Sequence, residues 1–138
     1  MLAPKTPDLV RDFLNRGFQV LVETNGSLDI SRIDHRAHLI IDVKTPGSGM
    51  EGSFLFANLA HLKRQHQFKF VLSDERDFFW SADFIESYLQ AANEIIFSPV
   101  AGALAPARLA ELILERRLRV RLQLQLHKIL WPDRERGC

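Results

Sequence analysis

The chain has 138 residues, 46% hydrophobic and 25% charged, a size and composition that suit one globular domain with a single core over residues 1–138. Its formal net charge of +1 gives no pull toward nucleic acid or an anionic membrane surface, and no apolar run approaches the ~20 residues that cross a bilayer. The single cysteine, Cys138, is the last residue, which excludes an internal disulfide and any cysteine-built zinc or iron–sulfur site within the chain.

The first ten residues, MLAPKTPDLV, lack the apolar centre of a signal peptide, so a cytoplasmic protein is expected. TPDLVRDFLNRG reads as a helix, with Thr6 as N-cap, Pro7 in the first turn, and Leu9, Val10, Phe13 and Leu14 on one face before Gly17 stops it. FQVLVET follows as a strand ending at Asn25-Gly26. SLDISRIDHRA is short and irregular, and HLIIDV is the next strand. After the loop KTPGSGMEGS the sequence predicts a helix, FLFANLAHLKRQ, then a third strand, FKFVLS. A further helix lies within DERDFFWSADFIESYLQAA, where Phe84, Ile85, Tyr88 and Leu89 fall at helical spacing. EIIFSP is a fourth strand, PARLAELILERRL a helix opened by Pro106, and RVRLQLQLH a fifth strand.

This α-β-β-α-β-α-β-α-β order implies an α/β fold of about five parallel strands with helices outside, since each crossover is long enough to return the chain to the same sheet direction. An open doubly wound sheet and a partial (β/α) barrel both satisfy the order. The last segment bears on the choice. Val120, Leu122, Leu124 and Leu126 alternate with Arg119, Arg121, Gln123, Gln125 and His127. Such a strand is either an edge with one solvated face or a strand facing the lumen of an open barrel, where a polar ligand sits.

Ligands of parallel α/β folds bind beyond the carboxyl ends of the strands. Every expected strand delivers polar groups there: Glu23-Thr24-Asn25-Gly26, Asp42-Val43-Lys44, Ser73-Asp74, Ser98-Pro99, and Gln125 with His127-Lys128. The loop Thr45-Pro46-Gly47-Ser48-Gly49 is able to form a nest of backbone N–H groups for an anion, or to be a plain long connection; it lacks the ending of a nucleotide-binding P-loop. Asp34, His35 and His38 have no partners at metal-ligand spacing, and His61 and His66 flank a basic helix end. The basic run ERRLRVR is offset by Glu111 and Glu115 and reads as a solvated face.

VETNGS, DVKTPGSGM, FKFVLSDERD, IIFSPVAG and LQLQLHKILW, in this order over nearly the whole chain, resemble successive segments of 7-carboxy-7-deazaguanine synthase. The Glu-Thr-Asn-Gly turn and the terminal Gln-x-His-Lys are the most specific of these, whereas DVKTPGSG is also similar to radical S-adenosylmethionine activating enzymes. The resemblance implies a partial (β/α) barrel that binds S-adenosylmethionine and a [4Fe–4S] cluster, and that contracts the ring of 6-carboxy-5,6,7,8-tetrahydropterin on the way to queuosine. The family also admits Mg2+. By matching segment, Asp42, Val43 and Lys44 and then Ser98, Pro99 and Val100 would lie along the S-adenosylmethionine site, Thr24 and Asn25 beside them at the rim, and Gln125 and His127 on the substrate side. The implied partner is the small pterin substrate, with no nucleic acid and no membrane.

The chain departs from the family's pattern in one decisive way. The Cys-x3-Cys-x2-Cys signature and the Gly-Gly-Glu-Pro stretch are absent, so the resemblance is to the carboxyl-terminal part of a family member, expected to be inactive by itself. Its first strand would present an open edge beside apolar surface, which leads to an expected homo-oligomer. Two alternatives remain: a non-catalytic half-barrel module that needs a partner chain, and part of a radical S-adenosylmethionine activating enzyme.

Overall fold

The computed structural model describes residues 5–89 and 93–134. Cys138 lies outside them. Five strands form one sheet in the order β1-β2-β3-β4-β5: Leu21–Thr24, His38–Val43, Gln67–Leu72, Glu94–Pro99 and Arg121–Leu122. All four strand pairings are parallel. Helices α1 (Thr6–Asn15), α2 (Glu75–Tyr88), α3 (Pro106–Arg116) and α4 (Leu126–Leu130) accompany them. Strand order follows chain order, so right-handed crossovers put the connections on one face of the sheet. That is the arrangement of a partial barrel. The sheet ends at β1 and β5 and is not closed by hydrogen bonds.

Register shows which residues meet the covering layer. Leu39 pairs with Val22, Phe68 with Ile41 and Ile95, and Phe97 with Phe70 and Leu122. The alternate positions form the opposite face, with Glu23, Ile40, Gln67 and Glu94 in one row and Asp42, Lys69, Ile96 and Arg121 in the next. The first set is almost wholly buried and the second carries the charges, the alternation that a sheet with one dry and one wetter face requires. Phe70, Phe78, Phe84 and Phe97 fill the dry side edge to face, with centroids 5.5 Å apart for Phe70–Phe97, 5.8 Å for Phe78–Phe97 and 5.9 Å for Phe70–Phe84.

Several local expectations change. Lys5, not Thr6, occupies the N-cap of α1, and no side chain caps it. The segment expected to be a helix from Phe54 is a 3-10 helix, Phe56–His61. The fifth strand pairs only over Arg121–Leu122, and Gln125 and His127 belong to the start of α4. The reason lies in β4, which ends at Pro99, a residue with no N–H to offer. The Gln123 N–H donates to the Phe97 carbonyl at 2.9 Å, and pairing stops there. α3 ends in a left-handed C-cap at Arg117, φ 52°. Among the described residues no helix is long and apolar enough to cross a membrane.

His66 is buried rather than solvated, and its Nδ1 accepts the Leu39 N–H at 3.3 Å. Burial, aided by the nearby charges of His38 and Lys63, lowers its pKa from the ordinary value near 6.5. The unfolded chain therefore takes up a proton at a pH where the folded chain does not. Stability from this group is complete above the unfolded value and falls as the pH drops from 6.5 toward the lower folded value. The urea midpoint should thus decline between about pH 7.5 and 5.5. His66→Asn, which keeps an acceptor for Leu39 but does not titrate, should flatten that decline; parallel curves for the two proteins would refute the assignment.

Candidate functional site

Parallel pairing brings the carboxyl ends of the strands to one rim. A cavity of about 190 Å³ lies there, lined by Asp42, Val43, Lys44, Thr45, Gly47, Ser48, Val71, Ser73 and Val100. β2 carries its last side chains to this mouth, and β3 and β4 supply the neighbouring walls. Asp42 and Lys44 form an ion pair with Nζ 2.6 Å from Oδ2, each side chain about one-third exposed. The other carboxylate oxygen, Asp42 Oδ1, is buried and has no hydrogen-bond partner in the protein. An acceptor left in this state is costly unless a further donor reaches it.

The loop after β2 is a 3-10 turn, Pro46–Ser48, and its amides are committed. The Ser48 and Gly49 N–H groups donate to the Thr45 and Pro46 carbonyls, each at 3.0 Å, while the Gly47 N–H donates to Asp77 Oδ1 at 2.8 Å. The nest reading of this loop therefore fails: its N–H groups serve the fold. Asp77 is fully buried in the first turn of α2 and receives the Ser73 N–H and hydroxyl on Oδ2 at 2.8 and 2.7 Å. Burial raises its pKa, but the hydrogen bonds from Ser73 and Gly47 outweigh that and leave it lowered.

The other candidate residues are distributed as follows. Thr24 is buried, and its Oγ1 accepts the Gly26 N–H within its own turn, 3.2 Å away. Asn25 Oδ1 accepts the Ser27 N–H and hydroxyl. Val43 is a core residue, 1% exposed, that also borders the cavity. Ser98 is buried beside Val71 in register, and the Val100 N–H donates to the Leu72 carbonyl. Pro99 and Gln125 share a second, larger cavity of about 460 Å³ with Leu124, Lys128 and Ile129. His127 is exposed and lines neither cavity. The fold thus gathers Asp42, Val43, Lys44 and Val100 in one place, Pro99 and Gln125 in another, and keeps Thr24 and Asn25 in a self-contained turn.

Sequence reasoning set Arg121 on a polar face but missed Gln67, Lys69 and Glu94 beside it. Glu94 accepts from Gln67 Nε2 at 2.5 Å and pairs with Arg121 at 2.7 Å, and Lys69 stands beside Asp42 in register. The polar residues at alternate positions of QFKF, in an otherwise apolar strand, were the available signal. Asp77 gave no such sign, because its partner Gly47 is 30 residues away.

The donor set fits the implied groups unequally. The unpartnered buried oxygen of Asp42, the adjacent Lys44 cation and the exposed mouth suit a polar ligand such as S-adenosylmethionine. The cluster does not fit: among the described residues no three His, Cys, Asp or Glu side chains converge, and the sequence has no cysteine before Cys138.

No protein-family model matches the chain. Curated proteins do. The 7-carboxy-7-deazaguanine synthase of Chlorobaculum tepidum is 39% identical over 99% of this chain and 64% of its own length. Those of Koribacter versatilis and Thermoplasma acidophilum are 34% and 32% identical, over 88% and 90% of this chain and 60% and 59% of theirs. The chain therefore spans about six-tenths of the length of these relatives. Along nearly its whole length, with five parallel strands that open on one polar rim, the chain is similar to these 7-carboxy-7-deazaguanine synthases, to which it corresponds over part of their length.

Proposed function

We propose that this chain forms the ligand-binding strand ends of an enzyme similar to 7-carboxy-7-deazaguanine synthase, and that it does not cleave S-adenosylmethionine by itself. The observation that carries this reading is the unpartnered Asp42 oxygen, at the rim where the matched strands end. In this reading Asp42 and Lys44 meet the polar portion of S-adenosylmethionine, and the Ser98-Pro99-Val100 backbone lies along it. Thr24 and Asn25 hold the neighbouring turn in shape. Gln125 and His127 serve the side of a 6-carboxytetrahydropterin, whose polar ring would meet the charged face of Gln67, Lys69 and Glu94. The sulfonium cofactor supplies radical chemistry only beside a reduced iron–sulfur cluster. The single cysteine of this chain, Cys138, cannot hold one, and Mg2+ has no assigned ligand here.

A second reading has one observation in its favour. The β1 edge is open, Leu21 on that strand and Phe18 just before it are exposed, and the exposed Phe13 packs against Phe18. Such a surface suits a half barrel that works with a second polypeptide, or with a second copy of itself. Under either reading, anaerobic incubation with iron and sulfide should leave the isolated chain without the visible absorbance of a [4Fe–4S] cluster. A cluster bound one per chain would overturn both.

A further inference from the structure

We propose that Asp77 is a positioning residue, which sets the loop Thr45–Gly49 against the strand-end cavity and so fixes that cavity's shape. It sits on α2, beneath the cavity, and is absent from its lining. Its two carboxylate oxygens divide the work. Oδ1 accepts the Gly47 N–H from the loop after β2, and Oδ2 accepts the N–H and hydroxyl of Ser73 from the end of β3. One fully buried group therefore ties together two walls of the cavity, both of which it meets through charge-assisted bonds. Its own N–H is held by the N-cap Asp74 at 2.8 Å, so the carboxylate stands on the rigid first turn of a helix.

Gly47 completes the arrangement. A Cβ at this position would collide with Ser73 Oγ and with the Asp77 carboxylate. The loop can approach so closely only because residue 47 has no side chain. Asp77 and Gly47 are thus two halves of a single clasp. Its lowered pKa keeps Asp77 ionised through the neutral range, as an acceptor-only role requires.

The proposal deepens the reading of the cavity as a ligand site, and the test keeps the two separable. Amide hydrogen exchange is followed on the full chain and on Asp77→Ala, Asp77→Asn and Gly47→Ala. Asp77→Ala should speed exchange at residues 47–50 about ten- to a hundredfold while β2–β4 amides keep their rates. Asp77→Asn, which can still accept from either Gly47 or Ser73, should fall between, and it carries the test with Gly47→Ala if the alanine variant does not fold. In parallel, S-adenosylhomocysteine is titrated calorimetrically, with about a tenfold weaker affinity expected in both Asp77→Asn and Gly47→Ala. Unchanged loop exchange in the Asp77 variants overturns the proposal, as does faster exchange spread over the whole sheet, which would make Asp77 a residue of general stability. A wild-type chain that takes up no probe defeats the ligand reading alone, and the exchange data still decide the role of Asp77.

Discussion

Phe70→Ala should lower the unfolding free energy by about 3–5 kcal/mol, a large fraction of the about 5–15 kcal/mol that holds a domain folded. Phe70 is fully buried at the centre of β3, between β2 and β4 in register. Its ring meets Phe97 across the sheet and Phe84 on α2. Truncation removes the contact between sheet and helix at one point, and the surrounding rings are held by their own edge-to-face neighbours, so the space cannot close. Phe70→Leu, which retains most of the volume, should cost about a third as much. Urea unfolding followed by circular dichroism measures both. A loss below about 1.5 kcal/mol for the alanine variant would mean that the aromatic layer yields far more than close packing allows.

What the sequence revealed of this fold depended on how local the signal was. HLIIDV and EIIFSP were readable as strands because β-branched and aromatic residues between turn signals describe a buried strand without reference to anything else. The helix at Glu75–Tyr88 was equally plain from the spacing of Phe84, Ile85, Tyr88 and Leu89, while Asp74, read as a strand end, proves to be its N-cap. The segment after β2 was not. Its apolar residues fit a helical period, yet Asn58 turns inward to bind the 26–30 loop, and only a 3-10 turn forms around it. RVRLQLQLH alternates as a strand should, but a strand needs a partner, and β4 stops offering donors at Pro99. The rim residues Asp42 and Lys44 were visible as charges at a strand end. Asp77 and His66 were not, because each owes its role to a backbone group some 27–30 residues away, which no local pattern records.

Asn58→Ala should cost about 2–5 kcal/mol, second only to the core truncation. Asn58 is fully buried, and its amide uses both ends. Oδ1 accepts the Ile30 N–H at 3.1 Å, and Nδ2 donates to the carbonyls of Leu28 and Gly26 at 2.8 and 3.1 Å. Gly26 O also receives the Leu55 N–H, so its loss is cushioned. The Ile30 N–H and the Leu28 carbonyl keep no such alternative, and each orphaned group costs ~1–3 kcal/mol. The same clamp holds the turn that follows β1, where Gly26 lies at φ 69° and a Cβ would collide with the Phe54 ring. Loosening it should therefore free the Thr24–Asn25 turn at the rim as well as lower stability. Asn58→Asp separates the two ends of the amide. It keeps an acceptor for Ile30 but turns a carboxylate oxygen toward two carbonyls, so it should be at least as damaging as alanine at neutral pH and recover partly on acidification, when a protonated carboxyl can donate again. Equal stability of Asn58→Asp and the wild type at neutral pH would show that the amide does not donate to those carbonyls, and the account of how this turn is held would fail with it.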